Sequence, residues 1–228
     1  MDIAAGSFVA LVGSSGSGKS TLLKTVNRLV EPSAGEVRVA GRPVQAVPAT
    51  VLRRSVGYVF QNVGLFPHMS VGDNVGIGLR IAGVKDRAAR VAEMLALVDL
   101  PADVATRMPD QLSGGQRQRI GVARALATAP ALLLMDEPFG ALDPVTRAGL
   151  GAKLRELHDR LGLTTIMVTH DMTEALLLAD RLLVMAKGRI VADATPAAVL
   201  TGRAGSDADA LVAVPRDQAR RIAELSRD

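Results

Sequence analysis

Residues 13–20 form a glycine-rich segment that lies between an apolar run and an amphipathic one. The run before it, Phe8–Val12, predicts a buried strand, and the residues after it predict a helix. Glycines let the backbone adopt positive φ, so that successive N–H groups can point at one anion, to which the helix N-terminus adds its positive dipole end. A flexible Gly/Ser linker is the alternative, but it does not explain this strand–loop–helix context. The segment therefore predicts a phosphate-binding loop in an α/β fold.

The segment fits the pattern G-x-x-x-x-G-K-[ST], which holds the phosphates of a mononucleotide. In that pattern Lys19 reaches the β- and γ-phosphates, and Ser20 offers its hydroxyl to Mg²⁺. The residues predicted to bind the nucleotide here are Gly13, Ser14, Ser15, Gly16, Ser17, Gly18, Lys19, Ser20 and Thr21.

Two carboxylates, Asp136 and Glu137, follow a second apolar run, Leu132–Met135. Open α/β sheets bind ligands at the carboxyl ends of their strands. Asp136 therefore suits Mg²⁺, and Glu137 can accept a proton from an attacking water. A plain Asp-Glu-Pro turn is the alternative. The presence of a phosphate-binding loop in the same chain favours the catalytic interpretation.

A third motif, Leu112–Gln116, reads Leu-Ser-Gly-Gly-Gln and precedes a helical pattern. Its Ser hydroxyl and Gly N–H groups could bind phosphate oxygen at a helix N-terminus. The alternative is a helix cap without a ligand. Two phosphate-binding helix ends far apart in one chain favour a composite site shared between two copies.

Apolar runs alternate with helical patterns along the chain, which is typical of a mostly parallel sheet flanked by helices. The further predicted strands are 56–60, 165–168 and 182–185, with antiparallel additions at 36–39 and 189–192. We expect one domain over residues 1–200, with a helical subdomain at about 71–125. Residues 201–228 are expected to form a linker and a short tail helix at 215–225.

Helical periodicity is clearest at 87–98 and 145–161. Asp86 and Asp143 precede these two segments and are predicted N-caps. We expect His158 on the surface of the second helix.

The composition excludes several classes of protein. One Tyr, four Phe and no Trp disfavour nucleic-acid modules that stack bases on aromatic side chains. The absence of Cys excludes disulfides and Cys-ligated metals. The net charge of +4 comes without any block of like charges, so we expect no nucleic-acid partner. Neither a membrane-spanning stretch nor a signal-peptide pattern is present, so we expect a cytoplasmic protein.

Together these motifs resemble those of the ATP-binding subunits of ABC transporters, over roughly residues 1–200. The glycine-rich segment is similar to the Walker A loop, residues 131–137 to the Walker B strand with its catalytic glutamate, and Leu112–Gln116 to the family signature. Three single residues match further motifs of the family in the same order, namely Gln61 of the Q-loop, Asp143 of the D-loop and the switch histidine, His170.

The resemblance implies a P-loop NTPase fold of the ABC type and a homodimer with two ATP molecules between its subunits. Each nucleotide would lie between Lys19 of one copy and the signature of the other. The implied catalytic residues are Glu137, His170 and Gln61. The implied Mg²⁺ ligands are Ser20, Gln61 and Asp136. The residues implied to bind the nucleotide of the second copy are Ser113, Gly114, Gly115, Gln116 and Asp143.

The resemblance also implies a separate integral-membrane permease that docks near Asn62–Met69, which places the chain at the cytoplasmic face of the membrane. Residues 27–32, 57–69 and 139–147 resemble the osmoprotectant importers, which take up glycine betaine, choline and carnitine with an extracytoplasmic binding protein. An importer for another solute, such as a polyamine or an amino acid, is the nearest alternative. A soluble ABC ATPase is less favoured because coiled-coil insertions and zinc motifs are missing.

ABC ATPases generally stack adenine on an aromatic residue in an antiparallel segment upstream of the phosphate-binding loop. Only twelve residues precede Gly13. The resemblance therefore implies that the N-terminal antiparallel strands are truncated, so that either the true start lies upstream or adenine binds without the usual platform. Tyr58, the sole tyrosine, lies in a predicted strand and is not assigned that role.

Overall fold

The computed structural model describes residues 1–205 and residue 213. Its strands are β1 (Phe8–Val12), β2 (Arg38–Val39), β3 (Arg42–Pro43), β4 (Val56–Val59), β5 (Leu132–Asp136), β6 (Thr164–Val168), β7 (Arg181–Ala186) and β8 (Arg189–Ala194). Six of them form one sheet in the order β4-β5-β6-β1-β7-β8. All neighbours are parallel except β7 and β8, which are antiparallel. The predicted α/β class with a mostly parallel sheet is confirmed.

The helices are α1 (Lys19–Val26), α2 (Ala49–Ser55), α3 (Val71–Ile81), α4 (Ala88–Leu97), α5 (Gly114–Leu126), α6 (Pro144–Leu161), α7 (Met172–Leu178) and α8 (Pro196–Leu200). Short 3₁₀ segments lie at 44–46, 102–106 and 109–111. None of the helices within the described part of the chain is long and apolar enough to cross a membrane.

The strand before the glycine-rich loop is buried on both faces. Phe8, Ala10 and Val12 belong to an apolar cluster with residues of α3 to α7, whereas Val9 and Leu11 belong to a second cluster with residues of α1 and α2. A strand buried on both faces needs apolar residues throughout, which is why β1 does not alternate with polar ones. The loop that follows β1 therefore starts from a rigid support between two layers of helices.

Most predicted strands differ from the structure by one or two residues at one or both ends, and two of the differences affect the site or the sheet. Asp136 is the last residue of β5, not the first one after it, because it pairs with Val168 of β6. The predicted strand at 36–39 shortens to β2, which pairs only with β3 in a separate two-stranded sheet.

The predicted helix caps have different outcomes. Asp143 caps α6, and its Oδ1 accepts hydrogen bonds from the N–H groups of Val145 and Thr146. The cap position of α4 is Arg87 rather than Asp86. The prediction for Asp86 was wrong by one residue, although its Oδ1 does accept a hydrogen bond from Ala88 N at 3.2 Å.

The predicted helical segment 71–125 covers α3, α4 and all of α5 except its last residue, Leu126. Buried residues of all three helices belong to the same apolar cluster as one face of the sheet. In the predicted linker, Thr201–Gly205 have no regular helix or strand. The predicted tail helix at 215–225 lies outside the described residues.

His158 is buried, so its predicted place on a helix surface was wrong. The side chain is only 1% exposed, its Nδ1 lies 3.0 Å from Thr165 Oγ1 of β6, and its ring packs on Phe8. The helical period accounts for this position, since His158 lies four residues after the buried Leu154. Burial, followed by the nearby charge of Arg155, lowers the pKa of His158.

Replacing His158 by Gln should flatten the dependence of stability on pH. The folded-state pKa of His158 lies below the unfolded value of about 6.5. The contribution of His158 to folding stability is therefore complete above that unfolded value and is lost as pH falls through the folded-state pKa. We expect the free energy of unfolding of the wild type to drop more steeply than that of the variant below about pH 6.5. Urea denaturation at several pH values measures this slope. His68→Gln, a change at an exposed histidine, is the control; equal slopes for wild type and His158→Gln would contradict the prediction.

Candidate active site

The loop between β1 and α1 has backbone angles that favour glycine. Gly13, Gly16 and Gly18 have φ values of 144°, 76° and 99°. At Gly13 there is also no room for a side chain, because a Cβ would lie 2.1 Å from the carbonyl oxygen of Met185. Neighbouring strand β7 and positive φ thus both require glycine at the start of the loop.

Lys19 lies across this loop and is 7% exposed. Its Nζ donates hydrogen bonds to the carbonyl oxygens of Gly13 and Ser14, both at 2.9 Å. No carboxylate among residues 1–205 and 213 lies within ion-pair distance of this ammonium group. A nearly buried cation that has only neutral oxygens as partners favours an anionic ligand.

The start of α1 and the end of β5 bring two predicted Mg²⁺ ligands together. Ser20 Oγ donates a hydrogen bond to Asp136 Oδ1 at 2.7 Å, and Asp136 is 2% exposed. Lys24, one turn further along α1, places its Nζ 3.9 Å from Asp136 Oδ2. A hydroxyl and a carboxylate are hard oxygen ligands of the kind that Mg²⁺ prefers, so the donor set fits this ion.

Three predicted catalytic side chains also meet. Gln61 Nε2 donates a hydrogen bond to Glu137 Oε2 at 3.1 Å, and His170 Nδ1 lies 3.5 Å from the same oxygen. These residues follow β4, β5 and β6, which are neighbours in the sheet and run parallel. Their carboxyl ends meet at one edge, which explains how residues far apart in sequence form one cluster.

The backbone at Glu137 is unusual and well held. Its φ is 49°, in the left-handed region that non-glycine residues rarely adopt. Its N–H donates to Val168 O at 2.9 Å, and its carbonyl oxygen accepts a hydrogen bond from Gln118 Nε2 at 3.2 Å. These bonds hold the residue in a conformation that the chain alone does not favour.

The signature residues lie elsewhere on the surface. Ser113 caps α5, with its Oγ accepting from Gln116 N while Gln116 Oε1 accepts from Ser113 N. Ser113 and Gly114 are exposed, and a Cβ at Gly115 would lie 3.3 Å from Leu142 Cδ2 of the predicted D-loop. Within the described ranges no hydrogen bond connects Ser113–Gln116 to the glycine-rich loop.

Asp143 follows Leu142 at the same surface, and its side chain caps the N-terminus of α6. Hydrogen bonds, that of the Thr146 side chain first, lower the pKa of the Asp143 carboxyl. Asp143 is thus a charged group next to α5, the helix that begins at the signature residues and is called the signature helix.

Two residues at the site were missed from the sequence. Lys24 has the i,i+4 spacing from Ser20 that puts both on one helix face. Gln118 is 2% exposed and lies four residues before the buried Val122. A polar residue at an apolar position of the helical period could have indicated a buried partner.

Comparison with known proteins gives a consistent family. A model of the ABC transporter family matches residues 1–140. The glycine betaine uptake system ATP-binding protein YehX of Escherichia coli (strain K12) is 50% identical over 201 residues, 86% of this chain and 64% of that protein. The glycine betaine/carnitine/choline transport ATP-binding protein OpuCA of Bacillus subtilis (strain 168) is 46% identical, over 88% of this chain and 53% of that protein. A sulfate/thiosulfate import ATP-binding protein, CysA of Thermosynechococcus vestitus, is 49% identical, over 87% and 59%.

Solved structures agree with this. The dimeric structure of a post-hydrolysis state of the ATP-binding cassette MJ0796, bound to ADP and Pi, superposes with a TM-score of 0.80 at 33% identity, over 86% of this chain and 88% of that one. The chain spans between about half and two thirds of the length of the curated relatives named above. On the family model and these likenesses, the chain belongs to the ABC transporter family and has the fold of its ATPase domain.

Proposed function

We propose that this chain hydrolyses ATP and that, as a subunit of an importer, it drives the uptake of glycine betaine and related quaternary amines through a separate permease. The observation that supports hydrolysis is the meeting of Gln61, Glu137 and His170 beside the Ser20–Asp136 pair. The chain thus combines a phosphate loop, an oxygen site for a cation and a carboxylate that can accept a proton.

The glycine-rich loop and Thr21 would bind the phosphates of ATP. Lys19 would exchange the carbonyl oxygens of Gly13 and Ser14 for phosphate oxygens. Ser20, Asp136 and Gln61 would hold Mg²⁺, which when bound neutralises charge on the phosphate oxygens.

Glu137 would accept a proton from the water that attacks the γ-phosphate. Gln61 and His170 both contact its Oε2, so they hold the carboxylate in one direction. An imidazole N–H of His170 would also donate to the γ-phosphate as its charge develops. The 68% exposed side chain of His170 leaves it accessible to a nucleotide.

A second copy of the chain would complete each site. Ser113, Gly114 and Asp143 are exposed, and Gly115 and Gln116 are partly exposed. Within the described residues, none of the five has a hydrogen bond to the glycine-rich loop of its own chain. The similar cassette MJ0796 is dimeric with ADP and Pi bound. We infer a homodimer in which these residues bind the nucleotide held by the other copy's loop.

The permease would dock at the segment Asn62–Met69, on the cytoplasmic face of the membrane. Phe66 in that segment is 41% exposed, and Arg124 of α5 donates hydrogen bonds to the carbonyl oxygens of Val63 and Gly64. The segment is therefore anchored to the signature helix while it presents an apolar side chain outward. An extracytoplasmic binding protein would deliver the solute to the permease.

The choice of solute is supported by the names of YehX and OpuCA and by the resemblance of residues 27–32, 57–69 and 139–147 to osmoprotectant importers. Sulfate is the competing solute, since CysA is 49% identical. Sulfate is a dianion, whereas glycine betaine is a zwitterion with a quaternary ammonium group, and one transport assay with both labelled solutes separates them.

Uptake should distinguish these solutes directly. In cells that lack this chain and other osmoprotectant importers, the wild-type chain should restore uptake of labelled glycine betaine at high osmolarity, whereas Glu137→Gln should not. Labelled sulfate measured in the same cells is the matched control and should be unaffected. Restored sulfate uptake with unchanged glycine betaine uptake would reject the proposed solute but leave ATP hydrolysis standing.

A further inference from the structure

Gln118 is a buried polar residue in a helix whose other buried side chains are aliphatic. It is 2% exposed, and Ile120, Val122 and Leu126 of the same helix are also buried. A buried amide is costly unless it is hydrogen bonded. The bond that it donates, from Nε2 to Glu137 O at 3.2 Å, crosses from α5 to the end of β5. The buried amide of this helix therefore donates its hydrogen bond to the backbone of Glu137, the residue that carries the proposed catalytic carboxylate.

The Glu137 peptide depends on such bonds. With φ at 49° its backbone is in a conformation that non-glycine residues rarely adopt. Three hydrogen bonds hold it, namely N–H to Val168 O at 2.9 Å, and the carbonyl oxygen from Gln118 Nε2 at 3.2 Å and from Gly140 N at 3.4 Å. The direction of the Cα–Cβ bond follows from φ and ψ. Loss of the Gln118 bond would therefore let the carboxylate turn away from Gln61 and His170.

Two further hydrogen-bonded contacts of the same helix, one near each end, bear on this role. At its N-terminus Ser113 and Gln116 form the capping box of the signature. Near its C-terminus Arg124 donates to the carbonyl oxygens of Val63 and Gly64. Gln118 lies between these two contacts, so one α-helix connects the signature, the Glu137 backbone and the proposed docking segment.

We propose that Gln118 is a positioning residue that sets the direction of the Glu137 carboxylate and links it to the signature of the same chain. The inference rests on the proposed ATP hydrolysis. In a dimer, the signature faces the nucleotide of the other copy while Glu137 faces its own. Gln118 then connects the two ATP sites through a single buried hydrogen bond.

Gln118→Met tests this role, because methionine is unbranched and of similar length but cannot donate a hydrogen bond. We expect kcat for ATP hydrolysis by the full chain to fall about tenfold while KM changes less than about twofold, since the bond acts on catalysis and not on nucleotide binding. Gln111→Met is the matched control, a nearby exposed glutamine whose Oε1 accepts from Met108 N. If kcat stays at the wild-type value, or KM rises as much as kcat falls, the proposal is wrong.

A double-variant comparison separates positioning from a general effect on folding. If Gln118 acts through the Glu137 carboxylate, Gln118→Met should cause no further loss of the residual rate in a Glu137→Gln background. ATP affinity and ATP-dependent dimerisation of the double variant should equal those of Glu137→Gln alone. A tenfold loss in both backgrounds would overturn the proposal, and Gln118→Leu provides a second donor-free variant if the methionine protein is insoluble. Absence of ATPase activity in the wild type itself would instead refute the proposed function.

Discussion

Replacing Glu137 by Gln should reduce ATP turnover by about 10²–10⁴-fold, the range that removal of a general base causes. The amide keeps the size of the carboxylate and can still bond to Gln61, but it cannot accept a proton from water. Nucleotide binding should persist, because the Lys19 and Ser20 contacts at the phosphate loop do not involve Glu137. We expect the variant to accumulate as an ATP-bound dimer, since the step that would release the two copies is blocked.

Two measurements check this result. Phosphate release gives the turnover rate, and size-exclusion chromatography with MgATP gives the oligomeric state. Glu156→Gln is the control, with the same chemical change at an exposed position of α6, and should behave as the wild type. Turnover within about tenfold of wild type, well short of the loss expected of a missing general base, would remove Glu137 from the mechanism.

The second large effect is expected for Lys19→Met, which should weaken ATP binding by about 100-fold or more. Hydrogen bonds from a charged donor contribute roughly 1.5–3 kcal/mol each, and the ammonium group would contact two phosphates. The folding stability of the nucleotide-free protein should change little, because the substitution removes only hydrogen bonds to the neutral carbonyl oxygens of Gly13 and Ser14. Without nucleotide, the Tm of the variant should therefore be close to that of the wild type. With MgATP, the Tm of the variant should rise much less than that of the wild type.

Calorimetric titration with a non-hydrolysable ATP analogue measures the affinity directly. Lys153→Met is the matched control. Lys153 lies on α6, away from the phosphate loop, and forms an exposed ion pair with Asp99. An affinity for the analogue within about threefold of wild type would show that Lys19 does not hold the phosphates, since even one charged hydrogen bond is worth more than that.

The sequence was sufficient to predict a mostly parallel sheet with two carboxylates at the end of one strand. Apolar runs marked β4, β5 and β6, and the rule that ligands lie at the carboxyl ends of parallel strands selected Asp136 and Glu137. Gln61 and His170 were named by the resemblance to the family. The structure brings Gln61, Glu137 and His170 together through contacts to one carboxylate oxygen. Their proximity follows from general topology, because each of these residues lies within two positions of the end of its strand.

Contacts that depend on packing between distant elements could not be predicted. His158 and Gln118 are polar residues at buried positions of the helical period, so the spacing can indicate burial but does not identify the partner. Their partners, Thr165 and the Glu137 carbonyl, are known only once the helices are placed on the sheet. The roles assigned to Ser113–Gln116 stay predictions for a similar reason, because the proposed ligand lies in another copy of the chain.

The positions of Ser113, Gln118 and Arg124 along α5 have a mechanical consequence. An α-helix rises about 1.5 Å per residue, so the five residues from Ser113 to Gln118 span about 7.5 Å and the six to Arg124 span about 9 Å. Gln118 is therefore close to the midpoint of the helical segment between Ser113 and Arg124. If the helix tilts about that point, a displacement of the Val63–Gly64 segment produces a displacement of nearly equal size and opposite direction at the signature, while Glu137 beside the pivot scarcely moves.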